Sequence, residues 1–154
     1  MGGKYKVRIR FGALVQSTLS AILVFLLIDS AVEYVSFKIT GFALLPFLEQ
    51  TIKMNYGFRF HAVNVVLFSV EMLVVILFYA ILRPSFKTCW KPVILCTCLF
   101  LLFFLLFLGQ MVNIGIYPLK AALMVGLSTV IGFPAAVVAG SSMYDKVSGL
   151  SKGN

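Results

Sequence analysis

The sequence is poor in charge. Asp, Glu, Lys and Arg make up 12% of its 154 residues, and only five residues are acidic. Soluble domains carry about 25% charged residues. So little charge does not cover the water-facing surface of a domain of this size, which excludes a soluble globular enzyme. The 61% hydrophobic content excludes a disordered chain. We therefore expect one membrane domain over residues 1–154.

Residues that build catalytic and metal sites are also scarce. The chain has one histidine, His61, and three cysteines, Cys89, Cys96 and Cys98. A haem or metal held by His61 needs a second ligand at matching depth, and with no other histidine a bis-His haem within one subunit is excluded. Motifs of metalloproteases, serine hydrolases, P-loop proteins and redox dithiols are absent. We therefore expect no metal, no cofactor and no catalytic activity.

Four long apolar runs dominate the sequence, at about 11–32, 62–82, 93–113 and 119–144. About 20 residues at ~1.5 Å rise cross a hydrocarbon core of about 30 Å. Because lipid satisfies no backbone polar groups, each run is expected to be an α-helix. The first run is longer than the core of a signal peptide, so we expect it to remain as an anchor. The pattern predicts an all-α polytopic membrane protein, a bundle of four transmembrane helices.

Basic residues are distributed unevenly between the two sides of this bundle. Nine lie before the first span, between the second and third, or after the fourth: Lys4, Lys6, Arg8, Arg10, Arg83, Lys87, Lys91, Lys146 and Lys152. Four lie on the other side: Lys38, Lys53, Arg59 and Lys120. Cytoplasmic segments are enriched in Lys and Arg, so we expect both termini in the cytoplasm. The basic segments are short and suit anionic lipid headgroups rather than nucleic acid.

The segment 36–60, between the first two spans, is too apolar for a plain linker. Pro46 suits a helix start and Gly57 a helix stop, with Phe47, Leu48 and Ile52 on one side between them. We expect an extracytoplasmic amphipathic segment, lying on the outer leaflet or folded back on the bundle. It is either a lid that caps the helices or a lateral gate or docking surface.

Glu71 is the most informative polar residue. It lies near the centre of the second span, where a charge costs at least ~2.5 kcal/mol. Asn64 lies seven residues earlier on the same helical face, nearer the outer surface. Two interpretations remain open. Glu71 and Asn64 form a polar patch for a substrate or a partner subunit, or a protonated Glu71 is hydrogen-bonded to a neighbouring helix.

A second polar set is expected at the outer interface, and we call it the outer polar set. Its members are Asp29, Glu33, Arg59, His61, Gln110 and Asn113. Antiparallel packing of the spans brings all six to one level. They form either a structural ion-pair belt or a site for an anionic or sugar-like group entering from outside.

The fourth span carries small residues at every fourth position: Ser128, Gly132, Ala136 and Gly140, called here the small-residue stripe. Such a stripe lets another helix approach closely. It serves either packing within the bundle or an interface with another chain. Pro134 lies inside it and frees the carbonyl of Val130.

Short motifs in this chain resemble those of the GtrA-like family of small membrane proteins. They are Arg10-Phe11 at the start of span one, Phe78, Arg83 and Phe86 at the end of span two, and Lys120 with Thr129-Val-Ile-Gly-Phe133 in span four. Leu77 and Ile81 stand where that family has Asn. The resemblance implies four spans and the handling of polyprenyl-phosphate-linked sugars.

Two classes of function remain. In the first, the protein binds or translocates a lipid-linked or amphipathic molecule, in the manner of a flippase or transporter. Glu71 and Asn64 then line the path, and members of the outer polar set form its mouth. In the second, the protein is a non-catalytic subunit or assembly partner of a larger membrane complex. Because the bundle is small, membrane lipids and homo-oligomers or other membrane subunits are the expected partners in both.

Overall fold

The computed structural model describes residues 9–41 and 58–150, without the side chains of residues 58–62 and 64. The described chain forms four α-helices: α1 (Phe11–Thr40), α2 (Phe58–Leu82), α3 (Trp90–Asn113) and α4 (Leu119–Ser148). A 3-10 turn, Arg83–Ser85, follows α2. All four helices are long and apolar enough to cross a membrane, and the described residues contain no strand. The expected all-α bundle of four membrane-spanning helices is confirmed.

All four helices extend beyond their expected bounds, and α1 extends furthest. Helix α1 continues past Val32 to Thr40, where Gly41 adopts a left-handed φ of 67° and donates its N–H to the Phe37 carbonyl at 2.8 Å. Thirty residues at ~1.5 Å rise are longer than the ~30 Å hydrocarbon core. Residues 36–40 of the expected amphipathic segment therefore belong to α1, and 58–60 belong to α2. Its middle part, 42–57, lies outside the described residues.

Neighbouring helices are antiparallel, and α1 packs most extensively against α4. The start of α1 therefore lies beside the ends of α2 and α4, and we call this side of the bundle the Phe11 end. The opposite side, where α1 and α3 end, is called the Thr40 end. Helices α2 and α3 follow one another in the chain, yet they make the least extensive contact of the packed helix pairs.

The apolar core lies toward the Phe11 end and is centred on α2. Met72, Val75, Ile76 and Tyr79 are fully buried there, and Val137 of α4 is buried against them. Helix α3 is the least buried of the four. Its outward face carries a run of large apolar side chains: Leu102, Phe103, Leu106 and Phe107. This face suits acyl chains, which solvate apolar side chains as well as a protein core does.

The small-residue stripe faces α1 inside the same chain. A Cβ placed on Gly132 meets the Phe25 ring at 3.2 Å, and one placed on Gly140 meets the Ser17 carbonyl oxygen at 3.0 Å. The Ala136 side chain is fully buried between these glycines. Small residues thus allow the backbones of α1 and α4 to approach closely, which explains the extent of their contact.

Candidate binding cavity

A cavity of about 450 Å³ opens between the four helices in the half of the bundle nearer the Thr40 end. Leu26 and Val65 line it and are still 42% and 53% exposed, so the cavity is open to its surroundings. Apolar side chains make up most of the wall. The lining residues are Ile22, Phe25, Leu26, Asp29, Val32, Glu33, Val65, Phe68, Phe104, Met124, Val125, Ser128 and Thr129.

Two carboxyl groups of α1 face this cavity. Asp29 and Glu33 are four residues apart, which places them on one face of the helix. The Ser128 hydroxyl of α4 donates a hydrogen bond to Asp29 Oδ1. Glu33 makes no hydrogen bond or ion pair with the described residues. Among the described residues, one of the two carboxyl groups is therefore held by α4 and the other has no partner.

Glu71 lines a smaller pocket of about 60 Å³ next to the cavity. The two spaces share Phe25, Phe68, Phe104 and Thr129 in their walls. The Glu71 side chain is exposed on the single chain and has no hydrogen-bond or ion-pair partner among the described residues. A charge at this depth in lipid costs about 2.5–3.5 kcal/mol, so Glu71 needs a partner that the described chain does not supply.

Thus three acidic residues from two helices line two adjacent spaces. They are three of the five acidic residues in the whole chain. No Lys or Arg is found among the described lining residues. The described lining is therefore rich in acidic side chains, in a protein whose net charge is +8.

The rest of the outer polar set is placed differently. Gln110 and Asn113 are exposed near the end of α3 and do not line the cavity. The side chains of Arg59, His61 and Asn64 lie outside the described residues. The structure thus brings together Asp29, Glu33 and Glu71 but not Gln110 or Asn113, because the C-terminal turn of α3 points its polar side chains away from the bundle.

Aromatic rings form the deeper wall of the cavity. The Phe25 and Phe68 ring centroids are 4.3 Å apart with an interplanar angle of 36°. Phe104 of α3 lines both the cavity and the smaller pocket. Aromatic walls suit a flat or bulky apolar group, and their faces also attract cations.

Thr129 is a functional candidate that reasoning from the sequence missed. Its side chain is 8% exposed and lines both spaces, and it makes no hydrogen bond with the described residues. This contrasts with Ser17, Thr18 and Ser69, whose hydroxyls each donate to the carbonyl four residues earlier. Thr129 therefore offers these spaces a polar group that is not already hydrogen-bonded within the described residues.

A second polar cluster, also missed from the sequence, lies at the Phe11 end. Arg83 Nε donates to Asp145 Oδ2 at 3.0 Å, and Arg83 Nη1 donates to the Phe86 carbonyl at 3.1 Å. Both charged side chains are about nine-tenths buried. The sequence did carry a signal for this pair, because Arg83 and Asp145 end two spans that finish on the same side.

The same cluster includes buried polar atoms without hydrogen-bond partners in the described chain. They are the Tyr79 hydroxyl, Asp145 Oδ1 and the Ser141 hydroxyl. All three residues line a space of about 50 Å³, which is large enough for a water molecule. The cluster closes the Phe11 end of the bundle with an ion pair and a ring of polar groups.

Comparison with protein-family models, with curated proteins and with solved structures finds no match to the chain. The similarity to the GtrA-like family therefore stays a prediction. The structure defines the class of protein by itself: an integral membrane protein built as a four-helix bundle. Within the described residues, no three His, Cys, Asp or Glu side chains form a group that holds a metal ion.

Proposed function

We propose that this protein binds an amphipathic small molecule taken from the bilayer, and that the cavity lined by Asp29 and Glu33 is its binding site. The observation that carries this proposal is the cavity of about 450 Å³, which is apolar on most sides and bears carboxyl groups on one. Ligand pockets in proteins are commonly about 300–1,000 Å³ and combine apolar walls with a few polar groups.

The distribution of side chains suits a molecule with two unlike parts. The rings of Phe25, Phe68 and Phe104 suit an apolar body, and Asp29 and Glu33 suit a polar head. With both termini in the cytoplasm, as the positive charges predict, the cavity lies in the outer half of the bilayer. The head group then lies nearer the outer interface than the apolar body.

Translocation of this ligand requires the Phe11 end to open. The fully buried side chains of Met72, Ile76 and Tyr79 fill the bundle below the cavity. The Arg83–Asp145 ion pair lies at the end of the bundle beyond them. Binding from one side therefore needs no rearrangement of this core, whereas transport needs the core and the ion pair to separate.

A second candidate function is that of a non-catalytic subunit, and the exposure of Glu71 favours it. A carboxyl group exposed at midspan is costly in lipid, and a second protein chain that covers it removes this cost. The mass of the purified particle separates the two candidates. A stable complex with a different protein that dissociates in the Glu71→Leu variant supports the subunit role.

Photolabelling tests the binding proposal. The full-length protein in lipid nanodiscs is irradiated with 3-azioctanol, a neutral diazirine alcohol, and the labelled residues are mapped by mass spectrometry. We expect labelling within residues 22–33 and 124–129 that an excess of octanol suppresses. Labelling of the outward face of α3 should not saturate, because lipid competes there non-specifically.

A pair of variants on α4 provides the control. Val125→Trp places an indole in the cavity, whereas Ile131→Trp places the same ring on a surface that is 48% exposed and lines none of these spaces. We expect Val125→Trp to remove the saturable labelling and Ile131→Trp to keep it. Saturable labelling that survives Val125→Trp, or its absence from the unmodified protein, contradicts the proposal.

A further inference from the structure

We infer that the ligand of this cavity is an organic cation, a molecule with a single positive charge on an apolar body. This inference rests on the proposed binding function and adds the charge and chemical class of the ligand. It departs from an anionic or sugar-like group, which the sequence left open, and from the phosphate-linked lipid that the GtrA-like resemblance implies.

The described lining of the cavity is acidic. Asp29 and Glu33 present two carboxyl groups on one turn of α1, and Glu71 adds a third in the adjacent pocket. Like charges four residues apart on a helix repel each other, and among the described residues only the Ser128 hydroxyl bonds to either group, at Asp29. A cation placed between these groups relieves the repulsion, whereas an anion increases it.

The described basic residues nearest to the cavity do not neutralise it. The Lys38 ammonium lies 5.6 Å from the centroid of the exposed Tyr34 ring, and neither residue lines the cavity. Lys120 is exposed, one helical turn from Met124, and is also absent from the wall. Neither cation therefore contributes to the described part of the cavity wall.

The aromatic wall also favours a cation. Phe25 and Phe68 lie in contact, and Phe104 completes the wall from α3. The faces of aromatic rings attract cations, and proteins recognise quaternary ammonium groups with such rings. Phenylalanine also offers no hydrogen-bond donor to an anion. The same rings that hold an apolar body therefore also favour a positive charge on it.

The Thr129 hydroxyl adds a polar group to the same wall. The residue is 8% exposed and lines both the cavity and the smaller pocket. A hydroxyl oxygen accepts a hydrogen bond from an ammonium group, and the dipole of the hydroxyl also stabilises a nearby positive charge. The site is too large for a bare metal ion, and the described residues form no metal-binding group. An organic cation fits both the size and the chemistry.

Two probes of the same shape and opposite charge test this inference. Tetraphenylphosphonium is a cation and tetraphenylborate is an anion, and both carry four phenyl rings. Binding of each to the full-length protein in nanodiscs of neutral lipid is measured by equilibrium dialysis, with protein-free nanodiscs as the blank. We expect saturable binding of tetraphenylphosphonium, at least about tenfold tighter than that of tetraphenylborate.

Variants of the two α1 carboxyl groups show where the cation binds. We expect the double variant Asp29→Asn, Glu33→Gln to weaken tetraphenylphosphonium binding by about tenfold or more. The charge-preserving variant Asp29→Glu, Glu33→Asp keeps the carboxyl groups and should retain most of the binding. Unfolding measurements on both variants identify any loss of affinity that comes from a damaged fold.

The possible outcomes separate this inference from the function on which it rests. Equal binding of both probes, or tighter binding of tetraphenylborate, overturns the charge preference while the binding function stands. No binding of either probe, together with saturable 3-azioctanol labelling, also overturns it alone. Absence of both probe binding and saturable labelling overturns the binding function as well. Loss of cation binding only in the neutralised variant supports the inference.

Discussion

Replacement of Gly140 by alanine tests the closest helix contact in the bundle. Gly140 lies on α4 where it crosses α1, and a Cβ at this position meets Ser17 O at 3.0 Å and Ala21 Cβ at 3.1 Å. The same Cβ meets the Ile76 Cδ1 methyl of α2 at 2.5 Å. We expect Gly140→Ala to destabilise the folded protein, although alanine is the better helix former.

The magnitude follows from the three contacts. Ile76 Cδ1 is the end of a flexible side chain and can rotate away, but Ser17 O is backbone and Ala21 Cβ is fixed to it. Helix α1 must therefore shift by a few tenths of an ångström along its most extensive interface. Overpacking of this kind costs about 1–3 kcal/mol, and the helix propensity of alanine returns about 1 kcal/mol. The net expectation is a loss of up to about 2 kcal/mol.

The same substitution at Gly126 is the matched control. Gly126 is also in α4, but a Cβ there meets only Leu108 Cδ2, at 3.6 Å, which is ordinary van der Waals contact. We expect Gly126→Ala to be neutral or to stabilise by up to about 1 kcal/mol. The free energy of unfolding of both variants is measured by steric trapping in bicelles. Equal stability of the two variants refutes the close approach of α1 and α4 at Gly140.

Two further predictions concern the buried polar groups. Arg83→Met or Asp145→Leu removes one partner of the Arg83–Asp145 pair, and each should lower the free energy of unfolding by about 3–5 kcal/mol. The double variant should lose less than the sum of the two single losses. Additive losses in this double-mutant cycle contradict the ion pair. Ser128→Ala removes the hydrogen-bond donor to Asp29, so we expect the free energy of unfolding to fall by about 1–3 kcal/mol. The double variant Asp29→Asn, Ser128→Ala should recover part of this loss. Full stability of the single variant shows that the hydrogen bond contributes nothing.

The number and approximate position of the helices could be predicted from the sequence, because crossing a bilayer is a local property of the chain. Each span needs only enough consecutive apolar residues, and α2, α3 and α4 meet this condition close to where they were expected. The end of α1 was missed, since hydropathy marks where lipid ends and not where a helix ends. Thr40 is followed by Gly41 in a left-handed conformation, and that glycine stops the helix.

The candidate site could be predicted only in part. Asp29, Glu33 and Glu71 are conspicuous in the sequence because acidic residues are rare in it and costly in lipid. Whether these three side chains line neighbouring spaces depends on the rotation of α1 and α2 about their axes, and hydropathy does not encode that rotation. Thr129 was overlooked because the hydroxyl of a threonine in a membrane helix normally donates a hydrogen bond to the backbone of its own helix.

The sequence alone determined that this protein is a bundle of four apolar helices, because the bilayer leaves a long uncharged chain no other structure. It also determined which residues are too polar to be placed in lipid without a reason. Only the tertiary structure decided which of them meet: Arg83 with Asp145, Ser128 with Asp29, and three carboxyl groups around two adjacent spaces. Contacts between helices depend on depth, rotation and close approach together, and no single span carries that information.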